Sequence, residues 1–395
     1  MSFNIANSGL NAVTEQMNSI SNNIANSGTV GYKSSRAEFS SIYAQSQPLG
    51  VSVSGVTQSI TRGGDITAGT NPLDLAISGN GFFVVHDSSG ATSYTRAGYF
   101  GFDKEGYIVN NTGMKIQGFP VDGSGNLQVG TVSDLQISTG SIPAKATDSL
   151  NFTANFDAQA KEPVKSPFDP ADKDSYNHSY TTQVFDSLGR EHTMTQYIVK
   201  TNENEWQVHY SVDGTSVGSP VDIKFDQNGA MLEPLGNVMV DCPIAGAQDL
   251  NIAVNYGGSS QYGSGFSVSN NSSSGYASAE RTGVQVDKDG TIYATYSNGE
   301  RMLQGQLVLA NFTNPNGLSP SNGTSWTQTS ASGNPVLGTP GSGLLGAVQS
   351  YALEGSNVNL TAELVNLMTA QRNYQANTKV ISTNDSMMQS LFQAL

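Results

Sequence analysis

The sequence predicts a multidomain α+β protein. Both chain ends form one helical coiled-coil domain, and two mainly antiparallel β domains lie between them, the outer inserted in the inner. Three observations predict this: heptad spacing at each end, a recurrent Asp-x-x-Gly turn through the middle, and two composition shifts that bracket a central block.

The last stretch, 357–395, has no Gly after Gly355 and no Pro after Pro340, so nothing breaks a helix there. Leu360, Leu367, Tyr374, Ile381, Met388 and Leu395 recur every seventh residue, with Leu364, Gln371, Thr378, Asp385 and Phe392 at the other seam position. Such a stripe is too narrow for a globular core and suits a helix lying against other helices. The first residues repeat the pattern: Phe3, Ala6, Leu10, Val13, Met17, Ile20 and Ile24 are spaced by threes and fours. Both ends are rich in Asn and Ser, which are poor helix formers, and isolated helices of this length are marginal in water. The ends are therefore expected to be mobile in the monomer and to order against each other or a neighbouring chain.

After the first helix, Gly28 and Gly31 end the helical pattern, and 27–71 reads as an extended or hairpin linker. From Val51 the pattern turns to period two; Leu73, Leu75 and Ile77 alternate, and an apolar run follows at 82–85. Turns of the form Asp-x-x-Gly start at Asp87, Asp103, Asp122, Asp186, Asp226 and Asp287; Asp caps the first position and Gly tolerates positive φ at the fourth. The Pro-rich stretch 144–174 reads as a soft joint, as does 257–275, which is almost all Gly, Ser, Asn and Tyr. These bounds give four parts: 1–26 with 357–395 helical, 27–71 linking, 72–147 with 277–356 an inner β domain, and 148–276 an outer β domain.

Composition narrows the function. The net charge of −14 is carried almost wholly by the middle: 1–60 is neutral and 354–395 carries −1. An acidic body with near-neutral ends suits ends buried in an assembly. With no basic cluster, nucleic acid and anionic membranes are excluded as partners, and no apolar run reaches membrane-spanning length. The lone Cys242 offers neither a disulfide nor a zinc cluster. The N-terminus lacks Lys and Arg before Lys33 and lacks a long apolar region, so it does not read as a cleavable secretory signal; by these marks alone the chain reads as cytoplasmic.

Chemistry-bearing patterns are absent. His86, His178, His192 and His209 are scattered without ligand spacing, and no nucleophile elbow, His-Glu-x-x-His or Cys-x-x-Cys occurs. Gly28 to Lys33 does not make a phosphate loop, because Tyr32 separates Gly31 from Lys33 and the stretch follows a helix. The turn at Asp287 lacks the later ligands of a calcium loop. No catalytic residue, cofactor or metal site is expected.

Three blocks resemble the bacterial flagellar rod–hook family of axial proteins. The first places Asn22, Asn23, Ala25, Asn26, Thr29, Gly31, Tyr32 and Lys33 on the family pattern. The second is Gly79-Asn80-Gly81-Phe82-Phe83-Val84-Val85 with Tyr94-Thr95-Arg96-Ala97-Gly98. The third runs from Glu363 to Asn377 and includes Gln371 and Arg372. Tyr32 stands where many members have Phe, and Asn359 where Asp is usual; both keep the needed chemistry. The block 148–276 matches weakly.

The resemblance implies a non-enzymatic, self-assembling subunit whose end helices line a central channel while its β domains face outward. It implies export, unfolded and without a cleaved signal, through the flagellar type III apparatus, which replaces the cytoplasmic reading with an extracellular one. Size favours the hook-type role of a flexible, torque-transmitting joint over a distal rod or hook–filament junction subunit. Rod, hook-cap and junction proteins are the implied partners. A coiled-coil surface adhesin is the alternative from another class, and it would need a secretion signal and an anchor. On this reading Leu360, Leu364, Leu367, Tyr374, Ile381 and Met388 meet Leu10, Val13, Met17, Ile20 and Ile24 in the same or an adjacent chain. Asn22 to Lys33 sets the chain's path out of the first helix.

Overall fold

A computed structural model describes residues 2–44, 47–123, 125–138 and 140–394; Leu395 and the side chain of Phe392, both in the heptad repeat, lie outside the described set. The chain divides into two compact units, 1–139 with 282–295 and 301–395, and 140–281 with 296–300. The second is thus inserted into the sequence of the first.

The first unit begins with helix α1 (Ser2–Ala25) and ends with helix α2 (Leu360–Ala394), which pack on each other. Asn359 caps α2 by accepting from the Ala362 N–H at 3.0 Å, the role its position in sequence suggests. Between them, β1 (Ser35–Ala44) and β2 (Gln47–Gln58) form an antiparallel hairpin with two register shifts. Ser8 Oγ of α1 accepts from the Val51 N–H at 3.2 Å, joining helix and hairpin. Strands β3 (Ile66–Ala68) and β4 (Leu75–Ser78) pair with the returning chain at Ala352–Glu354 and Ala347–Ser350. Strand β5 (Phe82–His86) pairs with Thr92–Thr95 across the Asp87 turn. Phe82, Tyr94, Phe312 and Trp326 meet edge to face with ring centroids 4.7–6.0 Å apart, contacts worth about 0.5–1.5 kcal/mol each beyond their buried area. The Trp326 indole donates to Gln58 Oε1 at 2.8 Å, fastening the end of β2 to this core.

All six Asp-x-x-Gly turns form: each Gly N–H reaches its Asp carbonyl at 2.9–3.2 Å, with the Gly at φ between 78° and 86°. Asn110 and Gly113 make a seventh turn of the same kind that the Asp pattern misses, the Asn110 side chain accepting from Thr112 and Met114 N–H groups.

The second unit packs two sheets around one core. One is a meander of His178–Phe185, Glu191–Asn202, Glu205–Val212, Thr215–Phe225 and Met231–Glu233; the other centres on Ser149–Asp157, flanked by Leu250–Asn255, Ser260–Tyr262 and Ser267–Ser273. Leu150, Phe152, Ala154 and Phe156 alternate inward to meet Met194, Ile198 and Trp206. Both supposed soft joints are therefore partly strand. Cross-strand ladders need only backbone N–H and C=O groups, so the polar stretch 267–273 serves as an outer strand. Around 144–174, the prolines obscure the alternation of 150–156. Cys242 is fully buried, and burial pushes its thiol up to about 11, so it packs as a small hydrophobe and is inert.

One charged cluster in this unit holds a histidine between two carboxylates. His192 lies between Asp213 (Nδ1 to Oδ2, 2.6 Å) and Asp186 (Nε2 to Oδ2, 3.3 Å), and Arg190 Nε donates to the same Asp186 oxygen at 2.6 Å. The Asp213 hydrogen bond raises the imidazole above its ordinary 6.5, partly offset by burial. Burial pushes Asp186 up, but hydrogen bonds from Arg190, His192 and the Leu188 N–H outweigh it and bring the carboxyl down to about 2. A raised histidine contributes stability that is full below 6.5 and fades as pH climbs through the folded value. His192→Gln should therefore melt lower than the parent at pH 5.5 by roughly 2–4 °C, the response to about 1 kcal/mol in a unit of this size, and equally with it at pH 9. A gap that is the same at both pH values would contradict this.

Candidate assembly interface

The two chain ends meet in two layers, a buried polar junction and a helix–helix seam. At the junction α1 runs out through Asn22, Asn26 and Thr29, which bond one another in series: Asn26 Nδ2 donates to Asn22 Oδ1 at 2.7 Å and Asn26 Oδ1 accepts from Thr29 Oγ1 at 3.1 Å. Asn23 then reads both directions of the chain. Its Oδ1 accepts from the Ser35 N–H (2.8 Å) and the Tyr32 hydroxyl (3.2 Å), and its Nδ2 donates to Ser35 O (2.7 Å) and to Glu363 of α2 (3.2 Å). An amide is the side chain that offers both a donor group and an acceptor in one plane.

Gly31 turns with φ +74°, its N–H donating to the Glu354 carbonyl at 2.8 Å; an added Cβ would sit 2.5 Å from the Ala97 backbone nitrogen. Gly31→Ala is expected to lose about 1–3 kcal/mol, the usual size of a positive-φ strain, and chemical denaturation of the purified protein would measure it; an unchanged midpoint would show that this turn can relax.

Next to Gly31 the chain buries an ionic triad. Lys33 Nζ lies 2.5 Å from Glu354 Oε1 and Arg96 Nη1 lies 2.9 Å from Glu354 Oε2, with side-chain exposures of 0, 6 and 2% for Lys33, Arg96 and Glu354. Burial pushes the Glu354 carboxyl up, but Arg96, then Lys33, and the Gly64 N–H more than offset it and hold it below the usual carboxylate range. Further donors are met by carbonyls, Lys33 donating to that of Arg62 at 2.9 Å and Arg96 Nη2 to that of Gly79 at 2.7 Å, while Arg96 Nε is buried without a partner. Asn357 completes the fastening, accepting from the Ser34 N–H at 2.7 Å and donating to the Ser59 and Arg62 carbonyls at 3.0 and 2.9 Å; Arg62 returns a bond to the Asn357 carbonyl. Each family block contributes to this region, with Asn23, Gly31, Tyr32 and Lys33 from the first, Arg96 from the second and Glu363 from the third.

In the seam, Val13 and Ile20 of α1 close on Ala370 of α2, with Met17, Ile24 and Leu367 packed at the edges. Small residues let the helices approach: Ala370 is fully buried, and a Cβ on Gly9 would fall 2.9 Å from Asn377 Nδ2.

Comparison with known proteins covers the whole chain. Family models match in order: "Flagella basal body rod protein" over 3–33, "Flagellar hook protein FlgE/F/G D1 domain" over 76–154, "Flagellar basal body protein FlaE D2 domain" over 151–276, and "Flagellar basal body rod FlgEFG protein C-terminal" over 349–394. The flagellar hook protein FlgE of Salmonella typhimurium is 40% identical over 401 residues, with 99% of each chain covered. Those of Escherichia coli K12 and Brucella suis are 38% and 33% identical, over 99% and 97% of this chain and 99% and 96% of their own. The chain belongs to the flagellar hook protein family. The crystal structure of Helicobacter pylori flagellar hook protein FlgE2 shares the fold, with a TM-score of 0.55 at 14% identity, covering 73% of this chain and 100% of that one.

Within this hook-family chain the heptad residues divide. Val13 and Ile20 are buried, and Leu10, Met17, Ile24, Leu367 and Ile381 are half-buried. Leu360, Leu364, Tyr374 and Met388 are instead 46, 47, 40 and 48% exposed. Among the described side chains of α2 the shielded ones are Glu363, Leu367, Ala370, Asn377, Ile381 and Asn384; Leu367 and Ile381 hold the expected first seam position, and the other four fall one residue before the expected second. Spacing assigned the large apolar residues to contacts in the same or an adjacent chain; within this chain Val13, Ile20 and Leu367 are joined by the small residue Ala370. Ala25, Gln371 and Arg372 are exposed, and so is Asn22, whose side chain accepts from Asn26. Glu354, Arg62, Asn357 and Ala370 were not foreseen. No helix among the described residues is long and apolar enough to cross a membrane, and no described cluster of His, Cys, Asp or Glu could hold a metal.

Proposed function

We propose that this chain is a structural subunit of the bacterial flagellar hook. Copies polymerise into a curved, flexible, hollow tube, a universal joint that carries torque from rod to filament. The observation that carries this reading is full-length likeness to proteins named as hook subunits, which includes the central 151–276 block as well as both ends. The helices 1–26 and 357–395 make the tube's lining, 27–71 the linker, 72–147 with 277–356 one β domain and 148–276 the other. Leu10, Val13, Met17, Ile20, Ile24, Leu360, Leu364, Leu367, Tyr374, Ile381 and Met388 are the assembly residues, some closing the helix pair within a chain and the exposed ones meeting other copies. The subunit passes unfolded through the type III export apparatus without losing a signal peptide. It works outside the cell between the distal rod, the hook cap and the hook–filament junction proteins.

Two unlike surfaces on one subunit generate an open helical array when their rotation does not close. Electron microscopy of the polymerised protein tests the reading: hollow curved tubes are expected, and straight rigid ones would favour a rod subunit. A variant lacking 1–30 and 357–395 should stay monomeric at concentrations where the full chain assembles. Tubes built by that variant would overturn the role given to the ends.

A further inference from the structure

Helix α2 carries two unlike surfaces beside its contact with α1. On one side Leu360, Leu364 and Met368, 46, 47 and 50% exposed, make a ridge that the 3.6-residue repeat confines to one stripe. On the opposite side of the same helix Asn373, Ala376 and Asn377 form a groove of about 380 Å³ with α1 and the hairpin, where Ala12, Phe39 and Val51 are among the lining. None of its described lining residues is charged, and α1 itself holds one charged residue, Glu15.

More than half of the large hydrophobic residues exposed among the described residues lie in 3–66 and 360–388. Apolar surface so concentrated marks a contact that is covered in use. The occupant follows from charge. At −14, two copies repel across most of their surface, and the near-neutral end helices are where they can meet without that penalty.

We infer that the Leu360–Leu364–Met368 ridge of one copy seats in the α1–α2–hairpin groove of the next. Ridge and groove face opposite ways, so the contact is head-to-tail and each added copy presents a fresh groove or a fresh ridge. This rests on the self-assembly reading above and adds which sides of the lining helices meet.

The test uses full-length protein with Met368→Lys in the ridge or Ala376→Trp in the groove. Both residues are exposed, so folding should be unchanged by circular dichroism. Each variant alone is expected to need at least about tenfold more protein than the parent to assemble. An equimolar mixture should give one-to-one dimers by analytical ultracentrifugation, because the ridge-blocked copy still offers a groove and the groove-blocked copy still offers a ridge. Assembly of either variant at the parent's concentration, or a mixture that stays monomeric, would overturn the pairing and leave the self-assembly reading standing. A parent chain that forms no polymer would instead remove both.

Discussion

Glu354→Gln should lower the unfolding free energy of the first unit by about 3–5 kcal/mol, because it leaves Lys33 and Arg96 buried without their counter-charge. The substitution keeps volume and one acceptor oxygen, so the effect isolates charge. Urea unfolding at pH 7 measures it, and a loss under about 1 kcal/mol would mean that the cations recover hydration. The pH dependence follows from the depressed carboxyl. Its contribution is present above the ordinary glutamate value of 4.5 and is lost as pH falls through the lower folded value. Parent and variant should therefore converge in acid. The triad is not an argument for net stability, since two well-packed apolar residues could do as well. It ties together three segments that are distant in sequence.

Leu367→Asp is the second large effect. Leu367 packs at the edge of the Val13–Ile20–Ala370 contact, and a carboxylate there forfeits apolar burial and must be hydrated, which loosens the helix pair by about 1–3 kcal/mol. Helices this long have little stability apart from their packing. The expected product is a monomer with intact β units and reduced helical signal that forms no tubes under conditions where the parent does. Normal tubes from this variant would refute the role of the helix pair. Leu364→Asp is the useful contrast, since Leu364 is 47% exposed and its loss should spare helicity within the chain.

How much was legible depended on whether the signal was local. The Asp-x-x-Gly turns were readable because four residues contain the whole interaction, acceptor side chain and positive-φ glycine included. The end helices were readable from spacing, and their mutual packing from the fact that neither could stand alone. The face of α2 that meets α1 was not, because hydrophobic repeat counts large residues while Gly9 and Ala370 set how close two backbones come. Ser149–Asp157 was hidden for another reason: a Pro-rich neighbourhood outweighed four alternating inward residues. Glu354 carried no sign at all. It follows two apolar residues at a strand end, and its partners lie 321 and 258 positions away.

That separation has a consequence for how the molecule matures. A polypeptide released from its N-terminus delivers both cations long before the carboxylate that neutralises them, and loop closure over such a span is entropically slow. The contact of Lys33 and Arg96 with Glu354 can therefore form only once residue 354 has been made. A product that stops short of residue 354 lacks the carboxylate that both cations bond, and is expected to be less stable than the finished chain.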